Sequence, residues 1–425
     1  MGKDLCKDWG HAGPGNGGLG GDMSNIPPTR TMGPIYLDNQ ATTPTDPRVV
    51  EAMLPYFTEK FGNPHSGGHA FGWEAEDGVE AARQQIADLI GAESREIIFT
   101  SGATESNNLA IKGGARFNRS SGDHLITTKV EHKCVLECFH RLESEGFRVT
   151  YLDINPDGLI NLDDLAAAFE EGTLLVSIIG VHNEVGVIQP LTEIGAICRE
   201  RGVYFHTDCA QAVGKIPLDV QEMKIDLLSI SGHKMYGPKG IGALYIRRRP
   251  RVRLQAMMDG GGQERGYRSG TLPTPLCVGM GEAASIARAE MADEAMRLEN
   301  QRNRLLSAIQ QRIPDVQVNG SMDKRFAGNL NLMFPGISGD DLVAALKGLA
   351  ISTGSACTTT TIEPSYALRA MGLSIKEAGA SARIGLGRFT TDKEIERAAE
   401  LIIGEVLKLR ESKDNVTKAS QLEAY

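Results

Sequence analysis

Residues 227–234 read LLSISGHK, an apolar run of four that ends at once in Ser231, Gly232, His233 and Lys234. A short apolar run bounded by a polar turn reads as a buried strand, and in open parallel sheets ligands bind beyond the carboxyl ends of the strands. The same pattern recurs upstream. The run 96–100 closes in Ser101, Gly102, Ala103, Thr104 and Glu105, and the run 125–127 leads into Glu131 and His132. The run 174–181 is followed by His182, Asn183 and Glu184, and the run from Val203 by His206, Asp208 and Gln211. Further runs at 149–152 and 243–246 are separated from these mostly by helix-like segments. Val79, Ala82, Ile86 and Leu89, for instance, recur at helical spacing and stop at Gly91. The alternation predicts an α/β fold whose largely parallel sheet is flanked by helices.

Near Gly279 the pattern changes. A long helical periodicity runs to about Ile313, followed by short strands at 329–334, 350–353 and 382–386 and by helices ending near Leu409. The division expected is a Gly-rich leader over 1–33, a large domain over 44–291, and a smaller α+β domain made of 34–43 and 292–425. Within the leader Gly13, Gly15 and Gly18 match a dinucleotide fingerprint. That motif needs a preceding strand and a following helix, and neither is predicted here.

Bulk properties exclude several classes. A formal charge of −9 over 425 residues argues against nucleic acid as a main partner, since a duplex binder usually needs a basic face. Its longest apolar stretch, 174–181, falls far short of the ~18 to 20 residues of a membrane span. Seven scattered cysteines fit a reducing compartment, and no secretory or mitochondrial signal is evident, so cytoplasm is expected, with an organelle matrix as the alternative.

Five polar strand ends together suit pyridoxal phosphate. The turn 101–104, between a strand and a helix, offers backbone N–H groups and the Thr104 hydroxyl to a phosphate. Asp208 is suited to the protonated pyridine nitrogen, Lys234 to a Schiff base, His132 to the ring face and to proton transfer, and Asn183 and Gln211 to the ring hydroxyl side. Taken singly, a lysine is usually a solvated residue and an aspartate after a strand is often a helix cap.

The strings 37–44 (LDNQATTP), 61–64 (FGNP), 101–108 (SGATESNN), 131–133 (EHK) and 231–234 (SGHK) resemble those of the class I cysteine desulfurases of the NifS/IscS type. The stretches 260–271 (GGGQERGYRSGT) and 352–365 (STGSACTTTTIEPS) extend the resemblance, which covers about 35–410. It implies a fold type I pyridoxal phosphate homodimer that converts L-cysteine to L-alanine and passes sulfur, as a persulfide, to an acceptor such as an Fe-S scaffold or to tRNA thiolation. By the same resemblance Lys234 is the Schiff-base lysine and proton shuttle, Asp208 pairs the pyridine nitrogen and His132 stacks on the ring. Ala103, Thr104, Ser231 and His233 hold the phosphate, Thr271 reaches across the dimer, and Asn183 and Gln211 complete the cofactor contacts. Arg383, in 382–388 (ARIGLGR), clamps the substrate carboxylate, with Asn183 beside it.

Cys357 matches the nucleophile. Gly354, Ser355 and the threonines at 358–361 read as a small polar, mobile loop, and a thiol near pKa ~8.5 needs positive neighbours such as Arg383 and His132 to ionise. The other readings are a selenocysteine lyase, a class V aminotransferase, or an inactive sulfur-carrier subunit. His132, Cys134, Cys138 and His140 have metal-like spacing, but the two histidines are expected to project away from the face shared by the cysteines, so no metal is expected. Arg247, Arg248, Arg249, Arg251 and Arg253 read as a solvated basic run able to steer an acidic partner. The residues after Leu409, RESKDNVTKASQLEAY, lack the apolar, Trp-containing tail common in relatives that serve Fe-S assembly.

Overall fold

In the computed structural model, which describes residues 33–353 and 364–422, side chains are defined as far as Lys413. The leader with its glycine motif, Cys6, Gly354 and Cys357 lie outside the described residues. A two-residue strand β1 (Ile35–Tyr36) comes first. The central sheet comprises β2 (Ile97–Thr100), β3 (His124–Thr128), β4 (Arg148–Leu152), β5 (Thr173–Ser177), β6 (Tyr204–Asp208), β7 (Leu227–Ser231) and β8 (Gly242–Ile246). Their order is β2-β8-β7-β6-β5-β3-β4, and only β8 runs antiparallel to its neighbours. Since β8 opposes both β2 and β7, those two strands point the same way, and the carboxyl ends of six strands share one edge.

The pleat explains why these strands are apolar almost throughout. Successive side chains face opposite sides of a sheet, and a parallel sheet is covered on both. Ile97, Phe99, Ile126, Val176 and Phe205 pack on one face with the helices Ala70–Ile90 and Thr274–Arg312. Ile98, Leu125, Leu175, Leu227 and Leu244 pack on the other with Ala103–Phe117 and Lys133–Ser144. The run 174–181 is strand only as far as Ser177, because its polypeptide leaves the sheet to enter the site.

A second apolar cluster lies beyond the sheet. The helix Thr274–Arg312 contributes Cys277 and Met280 to the first core and Leu298, Leu305 and Ile309 to the second. There it meets β9 (Gln317–Val318), β10 (Asn329–Met333) and β12 (Ser381–Gly385), which form a three-stranded antiparallel sheet, while β11 (Leu349–Ala350) pairs with β1. The last helix runs from Asp392 to Leu422 rather than ending near Leu409. The segment after Leu409 contains no glycine or proline, so nothing in it breaks the helix.

The basic run is also not uniformly solvated. Arg247 is buried, donating to the carbonyls of Ile225 and Val220 and to Gln221. Arg248, by contrast, is exposed. The residue after a strand-end residue such as Ile246 still packs against the sheet edge, which charge counting does not register.

Two buried carboxyl groups tie the strand ends. Glu264 takes two hydrogen bonds of 2.8 Å from Arg83 and a third of 2.6 Å from the Phe99 N–H, so it holds β2 just before the turn 101–104. Removing one partner of a buried pair strands the other charge, and Glu264→Ala should destabilise the fold by about 3 to 5 kcal/mol in urea unfolding. A loss no larger than that of a surface pair would refute this role.

Glu131 accepts from the Thr128 hydroxyl (2.8 Å) and from the Ile179 N–H (2.9 Å), joining the ends of β3 and β5. Its other oxygen is buried without a partner among the described residues, and burial pushes the carboxyl up to about 8. Above the ordinary carboxylate pKa the unfolded chain releases this proton while the folded chain keeps it, so the group costs stability progressively as pH rises toward about 8. Glu131→Gln should therefore flatten the decline of the urea midpoint between pH ~5 and ~8; parallel profiles for the two proteins would contradict the assignment.

Candidate active site

The shared carboxyl edge opens into a cavity of about 530 Å³. Its walls carry Ala103, Thr104, His132, Asn183, Asp208, Gln211, Ser231, His233, Lys234 and Arg383, which is every site residue expected from the sequence except Thr271 and Cys357. Thr271 is exposed and does not line this cavity.

Lys234 ends a single 3-10 turn, Gly232–Lys234, placed directly after β7. Its amine donates to the carbonyls of Gln40 (2.5 Å) and Ala41 (2.7 Å). Those carbonyls are set by the neighbouring threonine: the N–H and the hydroxyl of Thr43 both donate to the His233 carbonyl, and the Tyr236 N–H donates to the Thr43 hydroxyl. Thus the N-terminal segment, far away in sequence, fixes where the lysine points.

Asp208 closes β6 and is 3% exposed. It accepts from Asn107 Nδ2 (2.8 Å) and from the Ala210 N–H (2.9 Å), and among the described residues no cation forms an ion pair with it. A buried carboxylate with hydrogen bonds but no counter-charge is costly unless a cationic ligand arrives.

Across the cavity the helix Ala103–Phe117 begins at Gly102, whose φ of 152° lies in the range favouring glycine, with no side chain capping its first turn. The chain passes close to β8 there, since a Cβ on Gly242 would lie 2.6 Å from the Gly102 Cα. An uncapped helix N-terminus faced by Ser231 and His233 is a ready anion site. Burial, reinforced by Lys234, pushes His233 down to about 4, so its ring is neutral at physiological pH and Thr42 holds it at 2.9 Å.

Arg383, in β12, is 2% exposed. One guanidinium nitrogen donates to Asp38 (2.7 Å) and Ser352 (2.8 Å), another donates to the Asn183 carbonyl (3.0 Å), and Nε is buried without an acceptor among the described residues. Asp38 balances the charge while a donor remains for an anionic ligand. Gln211 is held from both sides, donating to the Gln40 carbonyl (2.8 Å) and accepting from Lys215 (2.8 Å).

His132 caps the helix Lys133–Ser144, accepting the Cys134 N–H at Nδ1. It does not project away from the cysteines, because its Nδ1 is 3.0 Å from Cys134 Sγ. Cys138 belongs to the core and His140 is exposed, so these four groups do not converge. Two other expected strand-end groups also point elsewhere. His206 bridges Ser177 and Ser229 within the sheet, and His182 donates to the Val130 carbonyl under the site floor. His206 shares a face of β6 with Asp208 but lies one repeat deeper in the sheet, and His182 lies beyond the end of β5.

Sequence reasoning did not assign Asp38, Gln40, Ala41, Asn107 or Cys134 to the site. The string 37–44 marked the region without giving it a role, and Asn107 and Cys134 sit one turn or less inside their helices, where helical periodicity classes them with packing residues. The donor set fits pyridoxal phosphate: an amine, a cation-seeking carboxylate, an anion-binding helix start and a guanidinium with a spare donor surround one cavity.

Comparison with known proteins agrees with this set. The aminotransferase class-V family model matches residues 35–398. The chain is 59% identical over 378 residues to the cysteine desulfurase IscS of Rickettsia bellii, covering 89% of this chain and 92% of that one. It is 60% identical over 377 residues to the namesake from Rickettsia typhi, with the same shares covered. Among solved structures, a NifS-like protein superposes with TM-score 0.82 at 36% identity, covering 88% of this chain and 99% of the other. The SspA protein in complex with cysteine does so at 0.73 and 40% identity, covering 83% and 98%. With the parallel sheet, the lysine after β7 and the carboxylate at the end of β6 all in place, the chain belongs to the aminotransferase class-V family and, within it, to the cysteine desulfurases.

Proposed function

We propose that this chain takes the sulfur of L-cysteine onto Cys357 and releases L-alanine, as a pyridoxal phosphate-dependent cysteine desulfurase. The observation that carries the reading is the cavity in which Lys234, the cation-free Asp208 and the spare donor of Arg383 face one another. Bound there, pyridoxal phosphate supplies the electron sink that weakens the bonds at the amino-acid Cα. Lys234 anchors it and moves the Cα proton, and Asp208 keeps the ring nitrogen protonated. Ala103, Thr104, Ser231 and His233 hold the phosphate, and Gln211 and Asn183 hold the ring hydroxyl side. Arg383 takes the substrate carboxylate, while His132 exchanges a proton over the ring. Cys357, as thiolate, bonds to the substrate sulfur as the Cβ–S bond breaks, and Cβ takes up a proton so that the carbon skeleton leaves as alanine.

The residues on either side of 354–363 support a place for Cys357 here. Ser352 is hydrogen-bonded to Asp38 and Arg383. On the other side Ser365 donates to Glu184 (2.5 Å) and the Tyr366 hydroxyl to the Glu131 carbonyl (2.6 Å). A homodimer is part of the same reading. Leu54, Phe57, Phe61, Phe71 and Trp73 are exposed large apolar side chains clustered in the chain, more than a solvated face accounts for. Thr271 would then serve the partner's phosphate. We also infer the division of the chain into a large domain over 44–291 and a small one over 34–43 and 292–425, supported by the two apolar cores. The persulfide goes on to a sulfur-acceptor protein. Among the described residues no helix is long and apolar enough to cross a membrane.

Lys234→Ala should abolish the visible absorbance of the bound cofactor, whereas Cys357→Ala should keep it but lose alanine formation by more than ~100-fold; absorbance surviving in the lysine variant would sink the anchor assignment. After incubation with cysteine, peptide mapping should find the persulfide on Cys357; sulfur on Cys134 or Cys138 would overturn the nucleophile. An aminotransferase would survive the loss of Cys357 and consume a keto acid instead. Light scattering should give twice the chain mass for the wild type and a monomer for Phe61→Glu/Phe71→Glu.

A further inference from the structure

A chain of hydrogen bonds leads from Asp208 to His132. Asn107 is fully buried, and its amide group donates both to Asp208 Oδ2 (2.8 Å) and to Cys134 Sγ (3.1 Å), while its own Oδ1 has no partner among the described residues. Turning the amide over would set its oxygen against a carboxylate that can only accept, so Asp208 fixes the orientation of Asn107. Sulfur has a second lone pair and the Thr104 side chain also bonds it, so the direction of its 3.0 Å contact with His132 Nδ1 is set at the ring. Nδ1 already accepts the Cys134 backbone N–H at 3.3 Å and thus bears a lone pair, not a proton.

We propose that Cys134 is a positioning residue that locks the His132 ring with its proton on Nε2, as the last link of the chain Asp208, Asn107, Cys134, His132. Nε2 has no partner among the described residues and is the nitrogen left to serve the cavity. Burial pushes the Cys134 thiol well up, which keeps it a donor, and burial also holds His132 below its ordinary value, so the neutral ring dominates near pH 7. The charged and titratable groups facing His132 are Asp208 at the end of β6, Lys234 after β7, His182 after β5 and Lys133 on its own helix. Of these Asp208 raises the ring and the two lysines lower it. None supplies the direction of the ring proton, which comes from the backbone N–H and the thiol of Cys134 together. With its proton on Nε2, His132 would meet the substrate as a hydrogen-bond donor there. This deepens the desulfurase reading, on which its consequence for turnover rests, but the tautomer itself does not depend on turnover.

The test is long-range ¹H–¹⁵N correlation on the full-length protein with labelled histidine, with and without pyridoxal phosphate, the His132 signals being identified by their loss in His132→Gln. The wild type and Cys134→Ser, which retains a donor, should show a bare Nδ1 and a protonated Nε2. Cys134→Ala, which keeps only the backbone N–H donor at 3.3 Å, should show a larger share of the ring with its proton on Nδ1. Losing a donor to Nδ1 also makes that nitrogen easier to protonate, so in Cys134→Ala the acidic limb of kcat/KM for alanine formation should move up by about half a unit, with Cys134→Ser near the wild type. A protonated Nδ1 in the wild type would overturn the proposal. So would a Cys134→Ala protein that loses activity with ring signals and pH profile unchanged, since that is what a packing residue does. A wild type that shows the locked ring yet makes no alanine would uphold the proposal and refute the desulfurase reading instead.

Discussion

Parallel strands deliver all of their carboxyl ends to one edge, and nearly everything in this protein depends on that alignment. Six of the seven central strands share a direction, with β8 reversed between β2 and β7 so that β2 keeps the common sense. A chain leaving such a sheet must turn at the same edge each time, and short turns leave backbone N–H groups and small polar side chains unpaired there. Five such turns supply the lysine, the carboxylate, the helix start, the histidine and the asparagine of the site. None of these groups is close to the others in sequence.

Burial gives those groups their chemical character. Asp208 and Arg383 are each almost wholly enclosed, and each is left one interaction short: the carboxylate has no cation and the guanidinium keeps Nε free among the described residues. Enclosed groups of this kind are expensive in an empty site, and that expense becomes affinity when a ligand provides the missing partner. Asp38 prevents the arginine from being an isolated charge without using all of its donors. Arg383 lies in the strand whose Ala382 and Ile384 belong to the second apolar core and Asp208 in the strand whose Phe205 belongs to the first, so the two sides of the cavity rest on different cores.

Much of this is legible in the sequence because apolar runs and the polar turns that close them obey local rules. The strand runs, the glycine stop at Gly91 and the strand-end residues Thr104, His132, Asp208, Ser231 and Lys234 are all readable from spacing and turn chemistry. Three kinds of error have physical causes. His206 and His182 group with the site in sequence because nearness to a strand end does not tell how deep a side chain sits, and His206 lies one repeat before Asp208 on the same face, inside the sheet. Arg247 groups with the solvated charges because a run of arginines hides the one that reaches back under the sheet. The last helix reads as too short because its final turns lack an apolar face, though nothing in them opposes helix.

The sequence alone determined the fold class and the order of the central strands, and it marked Lys234 and Asp208 as strand-end residues, since each rests on local periodicity or on a short motif of specific composition. Tertiary structure decided which side chains complete the site. The carbonyls of Gln40 and Ala41 come to Lys234 across nearly two hundred residues, and Asp38 comes to Arg383 across more than three hundred. The amide of Asn107 reaches Asp208 from a neighbouring helix, and through Cys134 it touches His132. Contacts of that kind have no local signature, because the free energy that forms them is that of packing two cores together rather than of any segment folding by itself.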